Sequence, residues 1–187
     1  SCQRGFGESG RECKRPAAFF KGVRMMAKLR KGLLVLATAA LGLPGFGMAQ
    51  ALGPNPSLCS GGREPTILVR VAGLKSRAGT VRVRTFTGDP DTYFNKKFAH
   101  KRYEYDVPAS GPIEICVPVG AAGTYAVDVR HDINKNGDTD RSDGIGASGN
   151  PKFSLMSILF GRKPPASQVQ VSVANGTTIV PITVRYL

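Results

Sequence analysis

The chain has 187 residues, of which 26 are Lys or Arg and 13 are Asp or Glu, so its formal net charge is +13. It contains 23 Gly, 13 Pro and no Trp, and it lacks long stretches rich in Ala, Leu, Glu and Lys, which excludes a helical bundle. Residues 1–51 carry a net charge of +7 and residues 52–187 carry +6. Because the basic excess is concentrated in the first quarter of the chain, nucleic acid is not an expected partner.

Residues 25–51 have the order of a secretory signal peptide. A basic cluster over 28–31 precedes an apolar run over 33–43, and Ala49 and Ala51 then supply the small residues of a cleavage site. The apolar run is too short to cross a bilayer as a helix, which needs about twenty residues. We therefore expect an exported protein, periplasmic or extracellular, with cleavage after Ala51 or Ala49.

The rest of the chain divides simply. Residues 1–24 precede the first methionines and are expected to be an upstream or spurious extension, residues 52–65 an N-terminal segment, and residues 66–187 a single domain. No second apolar stretch is long enough for a transmembrane segment. Cys59 lies well downstream of the apolar run and follows a leucine, which is the wrong context for lipid attachment.

Beyond residue 65, apolar and polar residues alternate with period two, as in half-buried strands. Seven segments show this pattern, over 67–71, 81–85, 103–107, 113–118, 125–130, 168–173 and 182–186. They predict an all-β fold, an antiparallel β-sandwich of immunoglobulin-like or transthyretin-like type with about seven strands. Asn175-Gly176 predicts a hairpin between the last two strands, and Pro181 predicts an edge or a bulge in the last one.

One segment departs from the strand pattern. Ser154 is a candidate N-cap and Gly161 a candidate C-terminal glycine, so residues 154–161 predict one short helix within a long loop. Its apolar side chains are expected to close one end of the sandwich. A membrane-binding or partner-binding patch is the alternative.

Two cysteines, Cys59 and Cys116, follow the predicted signal peptide. Two thiols in an oxidising compartment are expected to form a disulfide. Period two places Cys116 on the strand face opposite Ile115, where the segment carrying Cys59 could cross and be pinned. A catalytic thiol is the alternative, but neither cysteine has a neighbouring histidine or helix N-terminus to lower its pKa.

Residues 132–143 have the spacing of a twelve-residue calcium loop, with Gly137 at the sharp turn of position 6. Residues with oxygen-bearing side chains occupy positions 1, 3, 5, 7, 9 and 12, of which position 7 usually supplies its backbone carbonyl. They are Asp132, Asn134, Asn136, Asp138, Asp140 and Asp143. Position 12 is Asp rather than the longer Glu, and the flanks are a strand and a Gly-rich loop rather than two helices. The loop predicts a site for Ca²⁺ or another hard cation, and the alternative is a polar turn without metal.

No catalytic residue is predicted. The two histidines, His100 and His131, are too few for a zinc site, and neighbouring residues on a strand face opposite ways, so His131 and Asp132 are not expected to pair. We therefore expect a non-catalytic structural or adhesive module stabilised by calcium. A ligand-binding module for an envelope glycan, peptide or protein partner comes second, and a hydrolase third. The binding face of such a module would comprise Arg82, Arg84, Tyr93, Phe94, Tyr103 and Tyr105. The favoured interpretation of these residues is core aromatic side chains that alternate with solvated charges.

The sequence also resembles a known family. Val-Arg-Val-x-Gly-Leu at 69–74, Gly-x-Val-Arg-Val at 79–83, and Gly-Thr-Tyr-Ala-Val-x-Val-x-His-Asp-x-Asn-x-Asn-Gly at 123–137, followed by Gly-x-Gly at 144–146, are similar to the secreted bacterial domain-of-unknown-function family 2141. The resemblance covers about residues 64–187. It implies an exported β-sandwich domain with no established activity.

Overall fold

The computed structural model describes residues 50–152 and 162–186. The upstream segment, nearly all of the predicted signal peptide and the predicted helix over 154–161 therefore lie outside the described residues. Within the described ranges, no helix is long and apolar enough to cross a membrane.

The described chain forms two β-sheets. Its strands are β1 (Thr66–Ala72), β2 (Thr80–Thr87), β3 (Lys101–Asp106), β4 (Ile113–Pro118), β5 (Gly123–Asp132), β6 (Gly144–Ala147), β7 (Gln170–Val173) and β8 (Thr177–Thr183). One sheet has the order β4-β1-β8, and the other has the order β3-β2-β5-β6 with β7 also pairing with β5. The fold is an all-β sandwich, as the sequence predicts.

The core lies between the sheets because alternate side chains of each strand face inward. The three-stranded sheet contributes Ile67, Val69, Ile113, Ile115, Val180 and Ile182, and the five-stranded sheet contributes Val81, Val83, Val127, Val129 and Val173. Burying each such side chain contributes roughly 1.5–3 kcal/mol. The β-branched residues therefore both favour the strands and hold the two sheets together.

Two details of the strand order differ from the sequence prediction. The strand β6 was not predicted, because it has four residues and two of them are glycines. The predicted Asn175-Gly176 hairpin is wrong: β7 pairs with β5, whereas β8 pairs with β1 in parallel. Gly176 does form a turn with φ of 87°, but that turn links the two sheets. Pro181 lies on the edge strand β8, as predicted.

The predicted disulfide joins Cys59 to Cys116, with Cα atoms 5.9 Å apart. Cys59 belongs to a short 3₁₀ helix, Pro56–Ser60, and Cys116 belongs to β4. Leu52 extends the contact, because its N–H donates to Glu114 O at 2.7 Å and its carbonyl accepts from Cys116 N at 2.7 Å. The N-terminal segment thus crosses β4 and buries Cys116.

The outer face of the five-stranded sheet carries a second, smaller core. It comprises Phe86, Tyr93, Ala126, Ala147 and Val169, with Phe94 packed against it. Val169 ends a short helix, α1 (Ala166–Val169), and the Tyr93 hydroxyl donates to the carbonyl of Pro164. Part of this sheet face is therefore covered by loops, and charged side chains of β2 and β5 lie beside the covered part.

Candidate functional site

The loop 132–143 connects β5 to β6. Alternation along β5 turns Val129 and His131 toward the sandwich interior and Arg130 and Asp132 toward the outer face. Gly79 fixes the entry to the loop: its φ is +85°, and a Cβ there would lie 2.0 Å from the carbonyl oxygen of Asp132. The start of β2 therefore packs closely against the first residue of the loop.

The two ends of the loop bring two carboxylates into the protein interior. Asp132 and Asp143 are both fully buried. Asp132 Oδ2 accepts from Gly137 N at 2.9 Å, and Asp143 Oδ2 accepts from Asp140 N at 3.3 Å. The other oxygen of each carboxylate, Oδ1, is buried and has no hydrogen-bond partner. Burial raises the pKa of Asp143 above its usual value, although the hydrogen bond from the backbone N–H of Asp140 partly offsets this increase.

Arg130 is the counter-charge of this pair, and its side chain is 2% exposed. Its Nη2 lies 3.0 Å from Asp132 Oδ2, whereas Nη1 lies 4.0 Å from Asp143 Oδ2. Nη1 also donates to the carbonyl of Gly137 at 2.9 Å and to Thr139 Oγ1 at 3.3 Å. One guanidinium therefore faces two buried carboxylates and forms a hydrogen bond with only one of them. Arg130 is not among the site residues predicted from the sequence, although its outward position between Asp128 and Asp132 is visible in the strand pattern.

The exposed half of the loop forms its own hydrogen-bond cluster around Asp140. Asp140 Oδ2 accepts from the side-chain amides of Asn134 and Asn136, both at 2.9 Å, and Oδ1 accepts from Ser142 Oγ at 2.6 Å. The hydrogen bond from Ser142 and then that from Asn134 lower the pKa of Asp140 well below its usual range. This carboxylate is therefore ionised at neutral pH.

The six predicted ligand residues thus fall into two groups and one outlier. Asp132 and Asp143 meet around Arg130, and Asn134, Asn136 and Asp140 meet at the surface. The side chain of Asp138 is exposed, and its N–H donates to Asn136 Oδ1 at 2.9 Å. Across the described ranges, no three acidic, histidine or cysteine side chains converge as a metal-binding group. The metal site therefore stays a prediction.

Both histidines have hydrogen-bond partners on the backbone or on tyrosine. His131 is fully buried, with Nδ1 2.5 Å from the Tyr186 hydroxyl and Nε2 2.7 Å from Ala78 O. His100 Nε2 lies 2.9 Å from Val119 O. The two ring nitrogens of His131 are thus both occupied, so this histidine acts as a structural link between β5 and the C-terminal residues.

A cavity of about 200 Å³ lies beside the loop on the outer face of the five-stranded sheet. Its charged lining residues are Arg82, Arg84, Asp128, Arg130, Arg162 and Lys163. Of the predicted basic aromatic face, Arg82, Arg84 and Phe94 line this cavity, and Tyr93 belongs to the second core. Tyr103 and Tyr105 pack against the main core. The predicted face is therefore divided between the two sides of the sheet.

Comparison with known proteins gives a family and no individual relative. Neither the curated proteins nor the solved structures contain a match to the chain. The model of the family DUF2141, described as an uncharacterized protein conserved in bacteria, matches residues 69–181. That range covers more than half of the chain and includes the whole loop 132–143. The chain therefore belongs to the DUF2141 family of bacterial proteins, as its sequence pattern predicts.

Proposed function

We propose that this domain is an exported, non-catalytic structural or adhesive module whose 132–143 loop binds Ca²⁺ and is stabilised by it. The observation that carries the proposal is the pair of buried carboxylates at the two ends of the loop. Asp132 and Asp143 each keep one oxygen without a hydrogen-bond partner. A buried acceptor left without a partner costs about 1–3 kcal/mol, and a charged one costs more.

The charge balance of the buried group supports a cation. Asp132 and Asp143 bring two negative charges into the interior, and Arg130 brings one positive charge. Asp140 adds a further ionised carboxylate at the edge of the same loop. Because Arg130 contacts Asp132 through Oδ2, the Oδ1 atom remains available for a metal ion, so the guanidinium and the cation do not compete for one oxygen.

The chemistry of the donors favours Ca²⁺ over a transition metal. Every candidate ligand is a carboxylate, amide or carbonyl oxygen, and Ca²⁺ takes six to eight such oxygens in flexible geometry. The carboxylate at position 12 is a short Asp, and strands rather than helices hold the loop ends. We therefore expect weak binding, with a dissociation constant on the order of 10⁻⁴–10⁻³ M, as in extracellular modules.

The contacts of the reactive side chains support a non-catalytic role. The thiols of Cys59 and Cys116 are joined in a disulfide, so neither acts as a nucleophile while it persists. Both ring nitrogens of His131 are engaged, which leaves that histidine without a free position to accept a proton from a substrate. These contacts weigh against the hydrolase hypothesis.

Calcium should raise the melting temperature of the purified protein. At a hundredfold excess over the dissociation constant, binding to the folded state adds about 2.7 kcal/mol to the free energy of unfolding. Melting should be followed in millimolar Ca²⁺ and in chelator for the wild type and for Asp132→Asn. We expect an upward shift in Ca²⁺ for the wild type and none for the variant.

Asp138→Asn is the matched control for this experiment. It removes the same charge from the same loop, but position 7 supplies its backbone carbonyl rather than its side chain to the ion. This variant should keep most of the calcium response. If both variants lost the calcium-induced shift equally, general electrostatic attraction rather than a specific site would explain it. A wild-type melting temperature that is the same in Ca²⁺ and in chelator would contradict the proposal.

Export is the second part of the proposal, and the disulfide supports it. Structural disulfides persist in oxidising compartments and are rare in the cytosol. We expect protein recovered from the periplasm or medium to begin at Leu52 or Gln50, after cleavage behind Ala51 or Ala49. N-terminal sequencing of that material measures this directly, and a mature terminus upstream of Met48 would contradict the expectation.

A further inference from the structure

We propose that the basic cavity on the outer face of the five-stranded sheet is a binding site for a phosphate-type oxyanion, with Arg82 and Arg130 as its principal ligands. The site adjoins the calcium loop and shares Arg130 with it, but its proposed ligand-binding groups are guanidinium donors rather than the loop carboxylates. Nothing in the family description assigns it.

The strand register creates an unfavourable juxtaposition of positive charges. Arg82 of β2 lies directly opposite Arg130 of β5, and Arg84 of β2 lies opposite Arg102 of β3. On their other neighbouring strands, Arg82 lies opposite Glu104 and Arg84 lies opposite Asp128. Like charges directly opposite each other destabilise a sheet. The alternation that buries Val81 and Val83 on the core side places these arginines together on the outer face. A bound anion would remove the repulsion between Arg82 and Arg130.

The carboxylates nearby do not neutralise the group. Asp128 pairs with Arg84, with its two oxygens 2.9 and 3.1 Å from Arg84 Nε, and Asp132 pairs with Arg130. Among the described residues, no carboxylate lies within 4.0 Å of the Arg82 guanidinium. Glu104, which lies opposite Arg82 on β3, pairs with Arg102 at 3.2 Å. Arg82 therefore has no salt-bridge partner in this cluster.

The second observation is a pair of buried donors without acceptors. The Nε atoms of Arg82 and Arg130 are both buried, and neither has a hydrogen-bond partner. Arg130 is 2% exposed, so its Nε cannot turn to bulk water. Burial first, and then the charge of Arg84, lower the pKa of Arg82 to about 10. The protein thus desolvates one donor atom in each of two arginines that line the same cavity.

The size and charge of the cavity define the ligand class. Its volume of about 200 Å³ lies below the range of roughly 300–1,000 Å³ usual for sites that enclose a whole drug-sized ligand. It suits a single charged group. Arg162 and Lys163 also line the cavity, so with Arg82 it has three lining cations besides the paired Arg84 and Arg130. A doubly charged phosphate with several acceptor oxygens matches this excess better than one carboxylate, and guanidinium forks match its geometry.

The remaining wall of the cavity is apolar. Phe94, Ile145 and Pro164 contribute to it. Phe94 has a φ of 60°, a backbone conformation that residues other than glycine rarely adopt and that occurs often at ligand sites. An apolar wall lowers the local dielectric constant and so strengthens the hydrogen bonds between the anion and the arginines.

The wild-type protein allows a direct test by NMR. The Nε–Hε signals of Arg82 and Arg130 should be followed while inorganic phosphate or glycerol 3-phosphate is added at constant ionic strength. We expect saturable shifts of both signals, with sodium chloride as the matched salt control. Tighter binding of glycerol 3-phosphate would identify an organic phosphate as the ligand, and equal or tighter binding of inorganic phosphate would identify the free anion. Shifts that chloride reproduces, or no shift at all, would overturn the proposal.

A pair of charge-matched variants then locates the site. Arg82→Gln should weaken phosphate binding at least about tenfold, because one charge-assisted donor group is lost. Arg70→Gln removes the same charge from an exposed position on the other sheet and should leave binding unchanged. Equal affinity of Arg82→Gln and the wild type would contradict the proposal. If Arg82→Gln fails to fold, Arg82→Lys serves instead, and we expect it to bind more weakly than the wild type because the fork is lost.

Discussion

Replacing Cys59 and Cys116 together by alanine is expected to lower the free energy of unfolding by about 4 kcal/mol. The disulfide closes a loop with a sequence separation of 57 residues. Its loss releases the conformational entropy that the bond removes from the unfolded chain, which for a loop of this length is about 4 kcal/mol. Urea unfolding at equilibrium measures the change, since the sandwich is small enough for a two-state transition.

Reduced wild-type protein is the matched control for the disulfide variant. It keeps both side chains and loses only the bond, so it should show nearly the same loss, whereas the double alanine variant should not respond to reductant. A variant as stable as the oxidised wild type would mean that the N-terminal segment is held by its backbone contacts alone. Those contacts include the pair of hydrogen bonds between Leu52 and β4.

Substituting Arg130→Met should cost about 3–5 kcal/mol in the absence of calcium. Methionine keeps much of the side-chain volume but removes the cation between Asp132 and Asp143, and breaking a buried ion pair from one side leaves uncompensated charge. The Gly137 carbonyl also loses its donor. Chemical unfolding in chelator at neutral pH measures this loss.

Calcium should raise the free energy of unfolding of Arg130→Met and restore part of the stability that the substitution removes. The increase should be larger than in the wild type, because in the variant the ion supplies the missing positive charge. The matched control is Arg70→Met, which breaks the exposed pair with Glu114 and should cost no more than about 1 kcal/mol. An Arg130→Met variant that loses stability but gains nothing from calcium would show that Arg130 alone balances the loop.

Most of the fold could be predicted because alternation of apolar residues reports directly on strand faces. The strands around Val69, Val83 and Val129 follow from the sequence for this reason. The four-residue strand Gly144–Ala147 could not be found, since glycines carry no side-chain pattern. The sequence also could not predict which strands pair with each other. A turn such as Asn175-Gly176 indicates where the chain reverses, but it does not determine which sheet the next strand joins.

The candidate site shows the same division between local and non-local information. The spacing of Asp132 to Asp143 identifies the loop, and strand parity separates His131 from Asp132. The role of Arg130 depends on burial and on contacts with Gly137 and Thr139, which are properties of the folded loop. The basic cavity depends on the register between β2 and β5, so the outward arginines of one strand alone could not reveal it.

The most direct test of the central claim is a calorimetric titration of chelator-treated wild-type protein with Ca²⁺. We predict binding at one site with a dissociation constant on the order of 10⁻⁴–10⁻³ M and no detectable binding to Asp132→Asn. The proposal requires a heat of Ca²⁺ binding at one site in the wild type. That heat should be absent in Asp132→Asn and present in Asp138→Asn. Wild-type protein that releases no heat of binding with millimolar Ca²⁺ would contradict it, and the loop would then be a polar turn balanced by Arg130.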